Sequence, residues 1–306
     1  MLICESYHVP RSLEEALALW ADAPEGSRLV SGATDILPWA REGRAGDVEI
    51  PALIDVTKIP ELKGYSCDKG RIRLGASTVY QDFLTDRTLM SNLPCMPYCA
   101  IWFADDQIRE QATVVGNLVN ASPVADGTPP VVALNGEIEL TRLEGRDIRR
   151  RSVPVMDFIE GPGRTTIQPG EIATAVTVDS AYGYGGSFQK VGQRRSLVIS
   201  VACCAALVRA DSTGTVFEDV RLALGGVGPR PIRLREAERR LKGERITQEL
   251  IQRVAESAAD SVGSRSRKEY RRDVVVNFVR AGLEEALANQ PEIGAKFKNF
   301  RETENA

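Results

Sequence analysis

The stretch ATVVGNLVNASPVADGTPP, residues 112–130, decides how this chain is read. It opens like a buried strand, with Thr113, Val114 and Val115 all β-branched. It then turns to small and polar residues (Gly116, Asn117, Asn120, Ser122 and Asp126) and closes on Pro129 and Pro130. So few bulky side chains leave volume that the chain does not fill itself. Gly116 admits a bulky ring or a phosphate, and Thr113 can donate a hydroxyl. Asn117 can both donate and accept, and Asp126 can accept from ribose or ribityl hydroxyls. A single loop of this composition is also what an ordinary connection between strands looks like.

A second loop of the same kind lies upstream. SRLVSGATDIL (27–37) predicts a short strand running into Gly32, Ala33, Thr34 and Asp35. Successive backbone N–H groups at such a turn can form an anion-binding nest. Two small-residue loops that both leave strands point to one extended, phosphate-bearing ligand. Lys190, in SFQKVGQRR, is a third candidate, because a lysine near a flavin can stabilise anionic electron density on the ring. On residue type alone, a strand lysine is more often a solvated surface charge.

Composition narrows the chemistry. The 306 residues are 43% hydrophobic and 26% charged with a net charge of −3, an ordinary soluble balance that gives nucleic-acid binding no support. No apolar run is long enough for a membrane span, and MLICESYHVPRS lacks the features of a signal peptide, so the cytoplasm is the expected compartment. His8 is the only histidine, which argues against His-based metal sites and against Ser-His-Asp or Cys-His catalysis. The six cysteines form no CxxC pair and read as free thiols. Neither GxxxxGK[ST] nor a strand-to-helix GxGxxG is present. A chain so poor in catalytic side chains leaves hard chemistry to a cofactor, and no catalytic residue of its own is expected.

Along the chain, Ser12 and Glu15 form a capping-box signature before the apolar spacing of residues 13–20. PALIDVT (51–57), RIRLGAS (71–77) and EIATAVTV (171–178) read as strands, and residues 92–103 as a buried helix. VVALNGEIELTR (131–142) reads as a hairpin about Asn135-Gly136, followed by an arginine-rich polar connector. The glycine-rich AYGYGGS (181–187) reads as a turn. Beyond about residue 180, long antiparallel strands precede three helical patterns, the order of an α+β domain.

LVSGATDIL, ATVVGNLVNASPVAD, YHVPRSLEEALAL, SFQKVGQRRSLVIS, RLALGGVGPRPIRLREAE and KEYRRDVVVNFVRAGLEEAL occur in this order over nearly the whole chain. Together they resemble the FAD-binding medium subunits of molybdenum hydroxylases, the xanthine dehydrogenase and carbon monoxide dehydrogenase family. The resemblance implies an α+β fold. A two-subdomain FAD-binding domain of the PCMH/VAO-like type spans 1–178, divided near 58. A C-terminal domain at 179–288 carries a three-stranded antiparallel sheet with helices, and a polar tail covers 289–306.

It also implies roles. Val30, Ser31, Gly32, Ala33, Thr34, Asp35 and Ile36 bind the FAD pyrophosphate through their backbone. Thr113, Val115, Gly116 and Asn117 line the flavin and ribityl side, and Asp126 bonds farther along the cofactor. Phe103 packs on the isoalloxazine, Ile172 or Ala173 contacts it, and Lys190 lies beside it. Ala33 and Val115 stand where the family usually has glycine. Val115 is therefore expected to resist the backbone angle there and to crowd the cofactor.

The implied function is electron transfer. FAD on this chain receives electrons from the [2Fe–2S] clusters of a small partner subunit and passes them to an external acceptor. Substrate is hydroxylated on a large molybdopterin subunit, in a dimer of heterotrimers. A structural subunit without flavin and a stand-alone flavin oxidase are the alternatives.

Overall fold

The computed structural model describes residues 2–43, 48–194, 197–264 and 266–297. The chain starts with a parallel three-stranded sheet whose central strand, Glu49–Asp55, lies between Ile3–His8 and Arg28–Val30. Parallel strands need crossovers: the helix Leu13–Ala21 connects the two outer strands, and the helix Ile36–Arg41 lies in the connection from Arg28–Val30 to its central neighbour. Ser12 caps that helix by accepting from the Glu15 N–H at 3.2 Å. The Glu15 carboxylate reaches back one residue farther than a capping box requires, to the Arg11 N–H at 2.7 Å.

An antiparallel five-stranded sheet follows, in the order Tyr65–Asp68, Arg71–Gly75, Ile172–Asp179, Glu137–Glu144 and Asp147–Pro154. Here two sequence expectations are corrected. Asn135-Gly136 is not a hairpin turn. Pro129 and Pro130 start a short helix, Thr128–Ala133, whose exit is the left-handed Asn135 (φ +53°) with the Gly136 N–H returning to the Val131 carbonyl. The hairpin lies one strand later, in the arginine-rich segment expected as a connector, with Gly145 at φ +63° in its turn.

The third sheet holds the long antiparallel strands Gly185–Gly192, Ser200–Ala210 and Phe217–Gly225, and a two-residue fourth strand, Ile232–Arg233, adds to the expected three. The helices Arg235–Leu241 and Lys268–Asn289 pack against it, and Gln248–Ala258 packs on those two helices. The continuous apolar run of its central strand has a physical reason. Ala202, Cys204, Ala206 and Val208 face the core shared with these helices, while Cys203, Ala205 and Leu207 face the core of the preceding domain. One strand thus serves two cores through its alternating faces.

In AYGYGGS, Gly183 holds the expected turn at φ +81°, while the other two glycines serve close packing. A Cβ on Gly185 would lie 1.8 Å from the Ala286 carbonyl oxygen, and one on Gly186 2.3 Å from the carbonyl carbon of Pro94. The segment expected as a polar tail also starts by packing down, with Ile293 and Phe297 buried in the C-terminal core, and residues 298–306 lie outside the described residues.

Candidate functional site

The two small-residue loops meet. Gly32 comes so close to the residues before Thr113 that a Cβ on it would lie 1.9 Å from the Gln111 carbonyl oxygen. Between the loops opens a cavity of about 390 Å³, bordered by Val30 to Ile36 on one side and by Thr113, Gly116 and Asn117 on the other. A second cavity of about 620 Å³ continues toward the C-terminal sheet, sharing Asp35, Trp39, Phe103, Ala104, Asn117 and Asn120 with the first. Asp126 and the segment Leu197–Ser200 form its far wall. The two cavities are therefore adjoining parts of one cleft, and its walls come from separate parts of the chain.

The second loop is not a strand. Thr113 is extended (φ −94°, ψ 147°), makes a single bridge to Val79, and then caps the helix Val114–Asn120. Its hydroxyl accepts from the Gly116 N–H at 3.1 Å. Val114, Val115 and Leu118 form the buried face of that helix. The expectation that Val115 would crowd a cofactor is corrected by the same geometry. In the helix its φ is negative, its side chain is buried in the core, and it lines neither cavity.

Three alanines near the cleft take the left-handed backbone region instead: Ala33 at φ +54°, Ala104 at +47° and Ala121 at +49°. Each such residue carries roughly 1–2 kcal/mol of strain, and two of the three, Ala33 and Ala104, line the cleft.

Phe103 lines both cavities and stacks on Tyr80, ring centroids 3.8 Å apart and planes within 10° of parallel. Tyr80 is fully buried, and its hydroxyl donates to Asn117 Oδ1 at 3.1 Å. That bond occupies the Asn117 oxygen and leaves its NH₂ to donate. Burial pushes the Tyr80 phenol well up, so it stays a neutral donor. Tyr80 carries no signal in the sequence, since it acts behind the cleft wall.

Asp126 borders the second cavity, and Lys190 lies behind it. Lys190 Nζ donates to Asp126 Oδ2 at 2.5 Å and to the Trp102 carbonyl at 3.0 Å, with its side chain only 1% exposed. Ser200 Oγ donates to Asp126 Oδ1 at 2.5 Å. Burial raises the Asp126 carboxyl above its ordinary range, and the Lys190 ammonium offsets this only in part. Lys190 is therefore balanced by a carboxylate and lines neither cavity. Ile172 and Ala173 also lie off the cleft, Ile172 in the core and Ala173 packed against it, pairing with Thr141 and Leu140.

No group of His, Cys, Asp or Glu among the described residues is arranged to hold a metal, and all six cysteines are free. Burial pushes the Cys95 and Cys204 thiols up to about 12, which makes them unreactive packing groups. No helix among the described residues is long and apolar enough to cross a membrane.

Known proteins give this geometry a family. Residues 3–179 match the model "FAD binding domain in molybdopterin dehydrogenase", and residues 187–286 match "CO dehydrogenase flavoprotein C-terminal domain". The xanthine dehydrogenase FAD-binding subunit of Escherichia coli O157:H7 is 28% identical over 290 residues, 92% of this chain and 96% of that one. The carbon monoxide dehydrogenase medium chain of Hydrogenophaga pseudoflava is 29% identical, over 82% of this chain and 85% of its own. The solved carbon monoxide dehydrogenase from the same organism, a form lacking the Mo-pyranopterin moiety, contains a chain that superposes with a TM-score of 0.85 at 26% identity. That match covers 95% of this chain and 99% of the other. With both family models aligned on its two halves and relatives matching nearly end to end, the chain belongs to the family of FAD-binding, or medium, subunits of the molybdopterin-dependent dehydrogenases.

Proposed function

We propose that this chain is the FAD-carrying electron-transfer subunit of a three-subunit molybdenum hydroxylase, working in the cytoplasm as part of a dimer of heterotrimers. The observation that carries the reading is the two-part cleft walled by residues 30–36, by Thr113, Gly116, Asn117 and Asn120, and by Phe103. Its two connected cavities suit an extended dinucleotide better than a compact substrate. When bound, FAD supplies one- and two-electron exchange between the [2Fe–2S] clusters of a small subunit and an external acceptor, while a large molybdopterin subunit hydroxylates the substrate.

The chain's own residues bind and orient. Among the described residues the charged ones along the first cavity are Arg28 and Asp35, and the backbone N–H groups of the Ser31–Asp35 turn are suited to hold a pyrophosphate. Gly32 and Gly116 keep the two loops close and open, and Asn117, which lines both cavities, has its NH₂ available to donate. Phe103, backed by Tyr80, presents a rigid aromatic wall. Asp126, held by Lys190 and Ser200, supplies a fixed acceptor at the domain junction.

The test is the visible spectrum and flavin content of the purified complex. A flavin absorption band at one FAD per chain is expected; a colourless complex with no extractable flavin overturns the reading.

A further inference from the structure

Phe103 and Asn117 each line both cavities of the cleft, and one fully buried side chain touches both of them, Tyr80. Its ring lies flat on Phe103 and meets Phe83 edge-on, with centroids 6.4 Å apart and planes at 61°, which fixes its orientation. The Phe103 backbone is held as well: Arg109 Nη1 donates to the Phe103 carbonyl at 3.0 Å, just before the left-handed Ala104.

The phenol is seated against Gly127. A Cβ on that glycine would lie 1.7 Å from the Tyr80 hydroxyl oxygen and 2.9 Å from Asn117 Oδ1. Gly127 has an ordinary φ of −73°, so a larger residue is barred by the approach of the hydroxyl and not by the backbone angle.

An asparagine amide can offer a ligand its oxygen or its NH₂, and the two ends have nearly the same shape. Here the choice is made from behind. The acceptor of the buried Tyr80 O–H, among the described residues, is Asn117 Oδ1. Reversing the amide would turn the NH₂ toward that O–H and leave it without an acceptor, which disfavours the reversed form by about fivefold or more.

We propose that Tyr80 is a positioning residue for the flavin, holding the Asn117 amide so that its NH₂ donates to acceptor atoms of the flavin ring while Phe103 is kept rigid beside it. This rests on the reading of the cleft as the FAD seat. Reduction adds electron density to the ring, so an N–H donated to it favours the reduced form.

The test uses the purified complex, with FAD removed and added back to compare affinities, and with the flavin's reduction potential titrated at fixed pH. Tyr80→Phe keeps the stacked ring and removes the hydroxyl alone. It is expected to weaken FAD by about fivefold and to move the potential to a more negative value. Gly127→Ala, whose Cβ would push the hydroxyl off the amide, is expected to move the potential in the same direction; if it does not fold, Tyr80→Phe decides. A potential that is unmoved or more positive in Tyr80→Phe overturns the proposal, whatever happens to the melting temperature, because a merely structural tyrosine would change stability alone. With a flavin-loaded unaltered complex, that result sinks only the role of Tyr80. A colourless unaltered complex sinks the reading of the cleft and this proposal together.

Discussion

The ion pair between Asp126 and Lys190 shows how a residue's role depends on what faces it. A lysine beside a ring would lend it positive charge, but Lys190 is spent on a carboxylate 2.5 Å away. Asp126 reaches the pair from the FAD-binding half, and Lys190 and Ser200 reach it from the C-terminal sheet. Removing one partner leaves the other charged, buried and unmatched. Lys190→Met is accordingly expected to destabilise the chain by about 3–5 kcal/mol, while Lys190→Met combined with Asp126→Asn loses less than the sum of the two single changes. Denaturant melts of the four proteins measure the coupling, and strictly additive losses would show that the pair contributes nothing as a pair. Lys190 was legible as a candidate from its type and setting. Its partner was not, because Asp126 lies 64 positions away in the chain.

At the scale of elements, the short helix Val114–Asn120 is the part of the cleft most dependent on local chemistry. Thr113 caps it through the Gly116 N–H, and a Cβ on Gly116 would lie 2.7 Å from the Thr113 hydroxyl oxygen. Gly116→Val therefore strikes twice, displacing the cap and placing a β-branched side chain at the cleft. A loss of about 1 kcal/mol for the cap is expected, together with loss of bound flavin. The flavin-to-protein absorbance ratio and a thermal melt read the two effects separately, and full flavin occupancy would remove this helix from the site. The β-branched run at 113–115 suggested a strand because local propensity favours one. The helix wins because it buries Val114, Val115 and Leu118 on one face while the cap satisfies its first turn. The Asn135-Gly136 hairpin fails for a related reason: Thr128-Pro129-Pro130 starts a helix just upstream, and the left-handed Asn135 ends it.

At the scale of the molecule, polar ties centred on Glu171 hold the five-stranded sheet and join it to the helix Leu13–Ala21. Glu171, almost fully buried, accepts from Arg151 Nε at 2.6 Å and Nη2 at 2.8 Å and from the Gln168 N–H at 2.7 Å, and its carbonyl accepts from Trp20 Nε1 at 3.0 Å. Burial raises this carboxyl, but Arg151 and the Gln168 amide outweigh it, so the folded form titrates below the ordinary value. A depressed folded value means that the stabilisation is fully present above the unfolded pKa, about 4.3, and is lost as pH falls through the lower folded one. Glu171→Gln is expected to cost about 1–2 kcal/mol at neutral pH and to flatten the acid limb, so that the two stability curves converge below about pH 4. Urea melts across that range check it, and parallel curves would mean that Glu171 does not titrate with folding.

The sequence by itself determined the family, the α+β order of strands before helices, and the two loops that meet at the cleft. These depend on short-range patterns: a strand, a glycine turn, a cap and an apolar period are complete within a few residues. The tertiary structure decided the far wall at Leu197–Ser200, the Tyr80 backing of Phe103, the matching of Lys190 by Asp126 and the burial of Val115. Each of these depends on which face an element turns toward a partner distant in the chain, and local propensity holds no information about that. The strand Ser200–Ala210 shows the limit most plainly. Its residues read as one uniform apolar run, and only the packed fold divides them between two cores.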